Sequence, residues 1–505
     1  MKGAIYLSAL IPLLAVMLLV QAVPVAEPAA KAVLAEQRRK QHPEITKVVD
    51  FAQAAPPEFS AHFLLQAAIS TRLHDRVWQK ELLEEAFESG NLAREPVRRR
   101  SFRGEDLFDV TRTRSEMISR GFDEVLDRLS LQSLAVKEML RLDKARAIEM
   151  FQSISYPHLQ AKPCEEALID DVSAYYDVLG QIVDSGFSAE QRREGRHVAL
   201  LNHAVSGVDS AVELAPVAEV LSAAALSKQD QESLAGSLAL ALERVQHDDR
   251  SFTASLSLVN KKLHQLVQTL RASGVVPDAV IAAYRQYLVA NLSGNRCADN
   301  VEQPEVAGKD ALRKVVDVFN QDLASGTNPS LAPLRVAEIK PGKIEGRAKT
   351  EPFIDLADEE VLGRFIEFLL LRTDDKPGGE DKNTIRWRSQ FDDFLRQIEE
   401  IKPGAGEPEY RYFYRKANAL TALLEAAPPG SGRNKLLRQP VAFLSSSDMQ
   451  QESAIEWYGQ VAETAGAIGE HGSEEYQEFL RELERSGNSL LTLYAFAANA
   501  FPPNP

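Results

Sequence analysis

From Pro57 onward, apolar residues recur at helical spacing along nearly the whole chain. Between Pro163 and Gly186, Leu168, Val172, Tyr175, Leu179 and Ile182 follow one another at alternating steps of four and three, the spacing of one helix face. Pro163 near the start, Glu165 and Glu166 in the first turn and Gly186 at the end complete the expected punctuation of a single helix. The same pattern makes core stripes of Trp78, Leu82, Leu83, Ala86 and Phe87, and of Leu362, Phe365, Ile366, Leu369 and Leu370. Ser188 with Gln191, and Ser447 with Gln450, read as reciprocal helix caps. Stops at Gly90, Gly186, Gly274 and Gly294 leave helices of about 12 to 22 residues joined by short polar turns, a rhythm that yields antiparallel hairpins. The segment Leu334 to Ile344 departs from the pattern and reads as an extended linker, with a short ribbon turned at Pro341 and Gly342 as the alternative.

The expected fold class is therefore all-α, an irregular stack of helical hairpins resembling an α-solenoid, with a closed α/α toroid as the alternative. No fixed period survives, and the signposts of 34-residue tetratricopeptide repeats do not recur. Prolines and glycines concentrate between Asn295 and Phe353, interrupted by one amphipathic helix from Asp310 to Leu323, so the chain is divided there. The organisation expected is a signal peptide over 1–22, a flexible leader over 23–50, a helical domain over 51–300, a Pro/Gly-rich linker with one helix over 301–353, and a second helical domain over 354–500.

The N-terminus sets the compartment. An apolar run from Ile5 to Val20 behind Lys2, followed by Gln21 and Ala22, has the layout of a secretory signal cleaved after a small residue; an uncleaved membrane anchor is the alternative. The folded part is then exported, periplasmic or extracellular, with a membrane contact only if that segment is retained. The two cysteines, Cys164 and Cys297, lack metal-ligand spacing and in an oxidising compartment pair as one disulfide, with two buried thiols as the alternative. A formal charge of −15 spread along the chain argues against nucleic acid, whose phosphates need a basic stripe.

The familiar handles of chemistry are missing from the sequence: no His-Glu-x-x-His pair, Gly-x-Ser-x-Gly elbow, phosphate-binding loop or dinucleotide fingerprint occurs. No metal and no cofactor is expected. A candidate binding patch combines Arg98, Arg99 and Arg100, part of a basic run that includes Arg94, Arg103, Arg112 and Arg114, with the aromatic knot Tyr410, Tyr412 and Tyr414. Gln451-Glu452-Ser453-Ala454 followed by Ala465-Gly466-Ala467-Ile468-Gly469 resembles the catalytic-glutamate motif of lytic transglycosylases, although Glu470-His471-Gly472 replaces the family's continuation. That resemblance implies Glu452 as a general acid protonating a glycosidic oxygen. A broader similarity runs through Leu82 to Phe87, Phe413-Tyr414-Arg415-Lys416, Pro428-Pro429-Gly430, Arg433 and Glu456-Trp457-Tyr458. These segments resemble exported helical proteins of acidobacterial-type bacteria that carry no assigned function. Two functions follow as expectations. One is a non-enzymatic scaffold presenting a surface to an envelope protein or cell-wall polymer; the other is a helical carbohydrate-active enzyme using Glu452.

Overall fold

The structure, a computed structural model, describes residues 27–94, 96–101, 113–245, 250–297, 309–324, 333–346, 382–427, 431–469 and 471–501. The N-terminal apolar run, the Leu362 to Leu370 stripe, Arg103 and Arg112 lie outside them. The fold is all-α. The first part comprises α1 (Glu27–Gln41), α2 (Pro43–Gln53), α3 (Pro57–Ile69), α4 (Arg76–Asn91), β1 (Arg99–Ser101), α5 (Arg114–Asp123), α6 (Arg128–Leu142), α7 (Lys144–Gln152), β2 (Leu168–Asp170) and α8 (Ser173–Gln181), which widens into a π turn to Gly186. There follow α9 (Ala189–Arg193), α10 (Arg196–Gly207), α11 (Ala211–Ala223), α12 (Lys228–Arg244), α13 (Arg250–Ala272), α14 (Asp278–Leu292), β3 (Gly294–Cys297), α15 (Lys309–Val318) and β4 (Pro341–Gly346). The C-terminal part is α16 (Lys382–Glu400), α17 (Glu409–Ala426), α18 (Ser431–Ser446), α19 (Met449–Glu452), α20 (Ala454–Ile468), α21 (Glu474–Arg485) and α22 (Ser489–Ala500).

The helices stack in an order that differs from their order in the chain. One continuous series of packed neighbours runs α16, α17, α18, α21, α22, then α2, α3, α4, α6, α8, α11 and α13, so the last helices of the chain precede the first. The junction is apolar and aromatic: Phe51 of α2 meets Phe496 of α22 edge to face at 5.0 Å between ring centroids, and Lys47 lies over the Phe496 ring at 3.3 Å. Phe59 of α3 packs on Tyr458 of α20 at 5.2 Å. One buried core runs through the N-terminal and C-terminal helices alike.

Residues 23–50 were expected to be a flexible leader, yet from Glu27 they are helical. Ile45, Val48, Val49 and Ala52 recur at helical spacing in α2 and are buried, because α22 and α3 cover that face. The expected single helix from Pro163 to Gly186 is also corrected. Leu168 to Asp170 forms β2 and pairs antiparallel with β1, Arg100 opposite Ile169, and the helix begins only at Ser173. Leu168 and Ile169 are buried as strand residues, so the apolar spacing was right and the element was wrong. Pro341 to Gly346 turns no hairpin of its own: β4 runs parallel to β3. Ser188 and Gln191 do form a reciprocal cap, whereas Asp448 and not Ser447 precedes the α19 helix.

Cys164 and Cys297 are bonded across 133 residues of sequence, tying the loop before β2 to the end of β3. No helix among the described residues is long and apolar enough to cross a membrane.

Helices α5 and α20 cross at two glycines. A β-carbon on Gly121 would lie 2.9 Å from both the Cγ2 and the carbonyl oxygen of Ile455, and one on Gly459 would lie 2.9 Å from the Gly121 Cα. Backbone against backbone cannot yield without moving a helix. Gly459→Ala is therefore expected to lower stability by about 1–3 kcal/mol in urea titrations. Gly236 in α12 faces open space, and Gly236→Ala, relieved of glycine's entropy cost, is expected to gain about 0.5–1 kcal/mol. Equal effects at the two positions would contradict the close crossing.

Candidate functional site

Where β1, β2 and the start of α8 meet α11 and α13, the stack leaves a cavity of about 150 Å³. Arg100 comes from β1, Asp170 from β2, Asp171, Ser173, Tyr176 and Asp177 from the approach to α8 and the helix itself, and Glu219 from α11; Val172, Val220 and Leu258 supply apolar wall. The strand pair that the sequence did not announce is what brings the arginines to this place.

The cavity's charges are largely matched from within. Asp171 accepts from Arg98 at 2.8 Å and from the Ser173 backbone N–H at 3.0 Å, and the same Arg98 donates to the Ser173 hydroxyl at 2.9 Å. Burial alone raises the Asp171 carboxyl, but Arg98 and the Ser173 hydrogen bonds outweigh it and leave it below the usual range. Asp170 is paired with Lys162 at 3.1 Å, and Glu219 with Lys262 at 2.6 Å. Asp177 has no ion-pair partner among the described residues; burial, then the Glu219 charge, raises its carboxyl, with Lys137 opposing through space. Arg99 is held by Glu166 at 2.9 Å. Arg98 and Arg99 are thus internal ties.

Of the basic run, it is Arg114, and none of Arg98, Arg99 and Arg100, whose described contacts reach the tyrosine knot. Its guanidinium lies 3.8 Å from the centroid of the Tyr410 ring and donates from two nitrogens, each at 3.3 Å, to the carboxylate of Glu456. Glu456 is 5% exposed and also accepts from the Tyr414 hydroxyl at 2.9 Å. Burial, then the Glu456 charge, pushes the Tyr414 phenol well above its ordinary value, so it is a donor at every pH of interest. Tyr412 packs edge-on against Phe443 at 6.0 Å between centroids. The three elements joined are α5, α17 and α20, from opposite ends of the sequence. Glu452 stands apart: it is exposed at the end of the four-residue α19, without the apolar enclosure that a general acid requires. The buried carboxylate of this segment is Glu456. Its sequence signal was a lone acid within the apolar run Ile455, Trp457, Tyr458, all three of which are buried.

A third buried acid anchors the strand to the stack. Asp127 caps α6, accepting from Ser130 N–H at 3.0 Å, and is fully buried. Burial raises its carboxyl from 3.8 to about 6, with hydrogen bonds from Ser130 and from the Arg98 backbone opposing. An acid whose folded pKa exceeds its unfolded one favours folding when protonated; here that contribution is full below 3.8 and is lost as pH rises through about 6. Asp127→Asn keeps a capping side chain and abolishes the ionisation. It is expected to flatten the dependence of unfolding free energy on pH across that window and to exceed the parent at neutral pH by up to about 3 kcal/mol. Urea titrations at several pH values check this, and an unchanged slope would contradict it.

Among the described residues no group of three or more histidine, cysteine, aspartate or glutamate side chains is arranged to hold a metal ion. In comparisons with known proteins, the chain matches no family, no curated protein and no solved structure.

Proposed function

We propose that the chain is a non-enzymatic, extracytoplasmic helical scaffold that holds an envelope protein or a cell-wall polymer without transforming it. The observation that carries this reading is the use made of the reactive-looking groups. Arg98, Arg99 and Arg114, with Asp171, Glu166, Glu456 and Tyr414, tie helices and strands from distant parts of the sequence to one another. Networks of this kind fix one arrangement of a stack. The disulfide between Cys164 and Cys297 is compatible with an oxidising compartment and supports the extracytoplasmic part of the reading.

The test is incubation of the purified chain with envelope extract and, separately, with purified cell-wall polymer. Retention of a partner, with the polymer unchanged in length, is expected. Release of soluble fragments that ceases in a folded Glu452→Gln or Asp177→Asn variant would replace the scaffold reading with the hydrolytic one.

A further inference from the structure

The seam where the two ends of the chain meet gathers polar groups that neither the cavity nor the Glu456 network uses. The crossing of α5 and α20 at Gly121 and Gly459 brings the end of α5 alongside Tyr458. Glu124 follows that helix, and Val125 after it takes a φ of +57°, a conformation that a β-branched residue rarely adopts. The half-buried Glu124 carboxylate has no hydrogen bond or ion pair with any described residue. Burial, then the Asp123 charge, raises it, and no positive charge of a described residue acts on it. Its own charge reaches the phenols of Tyr458 and Tyr494, whose rings lie 5.9 Å apart between centroids. Tyr458 is 3% exposed, yet its hydroxyl bonds to no described residue and keeps some accessible surface. An unmatched donor on a buried residue asks for an acceptor. His62 of α3 stands 6.0 Å from the Tyr458 ring; burial lowers it to about 4, so at neutral pH it adds no positive charge.

We infer that this seam binds a small hydroxylated ammonium, an amino alcohol or amino sugar, whose ammonium donates to Glu124 and whose hydroxyl oxygen accepts from Tyr458. A plain amine would answer Glu124 and leave Tyr458 unmatched; a neutral sugar or alcohol would do the reverse. The Tyr458 and Tyr494 rings, 5.9 Å apart, add the π surface that attracts a cation and not an anion. This site is additional to the scaffold role and does not depend on it, so either can fail without the other.

Calorimetric titration of the full chain near neutral pH with ethanolamine, glucosamine, ethylamine and N-acetylglucosamine tests the assignment. Saturable binding of ethanolamine, glucosamine or both is expected, with ethylamine and N-acetylglucosamine each weaker by about tenfold, the scale of one lost hydrogen bond that leaves a partner unsatisfied. Tyr458→Phe keeps the ring in the core and removes a hydroxyl that bonds to no described residue, and Glu124→Gln changes a half-buried position. Both are expected to retain the far-UV circular dichroism of the parent and to lose about tenfold in affinity for the ligand that binds. Absence of saturable binding of both hydroxylated ammoniums would overturn the inference, as would ethylamine or N-acetylglucosamine binding as tightly. So would an affinity unchanged in either folded variant; the comparison of ligands on the parent chain decides the matter even where a variant fails to fold.

Discussion

Glu456→Ala is expected to destabilise the protein by about 3–5 kcal/mol, the largest effect of any single substitution considered. The carboxylate is 5% exposed and holds two elements at once, accepting from Arg114 on α5 and from Tyr414 on α17. Removing it takes the acceptor from the buried Tyr414 hydroxyl and the counter-charge from Arg114, whose side chain is 36% exposed and keeps its place over the Tyr410 ring, and the cost of breaking a buried charged network comes mainly from the partner left behind. Three further variants separate this from a simple volume effect. Glu456→Gln retains an acceptor for the phenol and is expected to cost less. A double-mutant cycle with Tyr414→Phe is expected to show coupling of about 0.5–3 kcal/mol. Glu452→Gln, four residues away and exposed, is expected to fall within about 0.5 kcal/mol of the parent. Urea titration of the set checks the account; Glu456→Ala as mild as Glu452→Gln would refute it.

Loss of the disulfide is the second large effect. A bridge across 133 residues restricts the unfolded chain far more than a local loop closure, and the chain-entropy relation allows it about 5 kcal/mol at most. Replacing Cys164 and Cys297 together with serine is expected to cost about 2–5 kcal/mol. Both residues are buried, Cys297 at 1% and Cys164 at 9% exposure, so reductant is expected to act on the unfolded protein much faster than on the folded one. Intact mass after alkylation decides whether the bond is present in the purified protein. Two modified cysteines in an unreduced, denatured sample would contradict it.

Much of the helical content was legible because its signal is local. Trp78, Leu82, Leu83 and Ala86 repeat at helical spacing and are buried as that spacing requires. Ser188 and Gln191 carry a cap in four consecutive residues. The unequal success at Leu168 to Asp170 has a physical cause: two adjacent apolar residues satisfy a buried strand as well as a helix face, and what decides between them is a partner strand at Arg99 to Ser101. The candidate site was illegible for the same reason. Arg100, Asp170 and Glu219 meet only because β1 pairs with β2 and α11 packs on α8. Tyr414 and Glu456 are three helices apart in the chain, and Arg114 is more than half the sequence away. Nor does any local pattern announce that α22 stacks on α2.

That non-local order is the centre of the account: the C-terminal helices are one end of the same stack that the N-terminal helices continue. A protease site engineered within residues 347–381 allows the chain to be cut between β4 and α16. The two fragments, which have no disulfide between them because both cysteines precede the cut, are expected to remain together and to elute in size-exclusion chromatography at the mass of the intact protein. Elution of the fragments as separate folded species under native conditions would contradict the account.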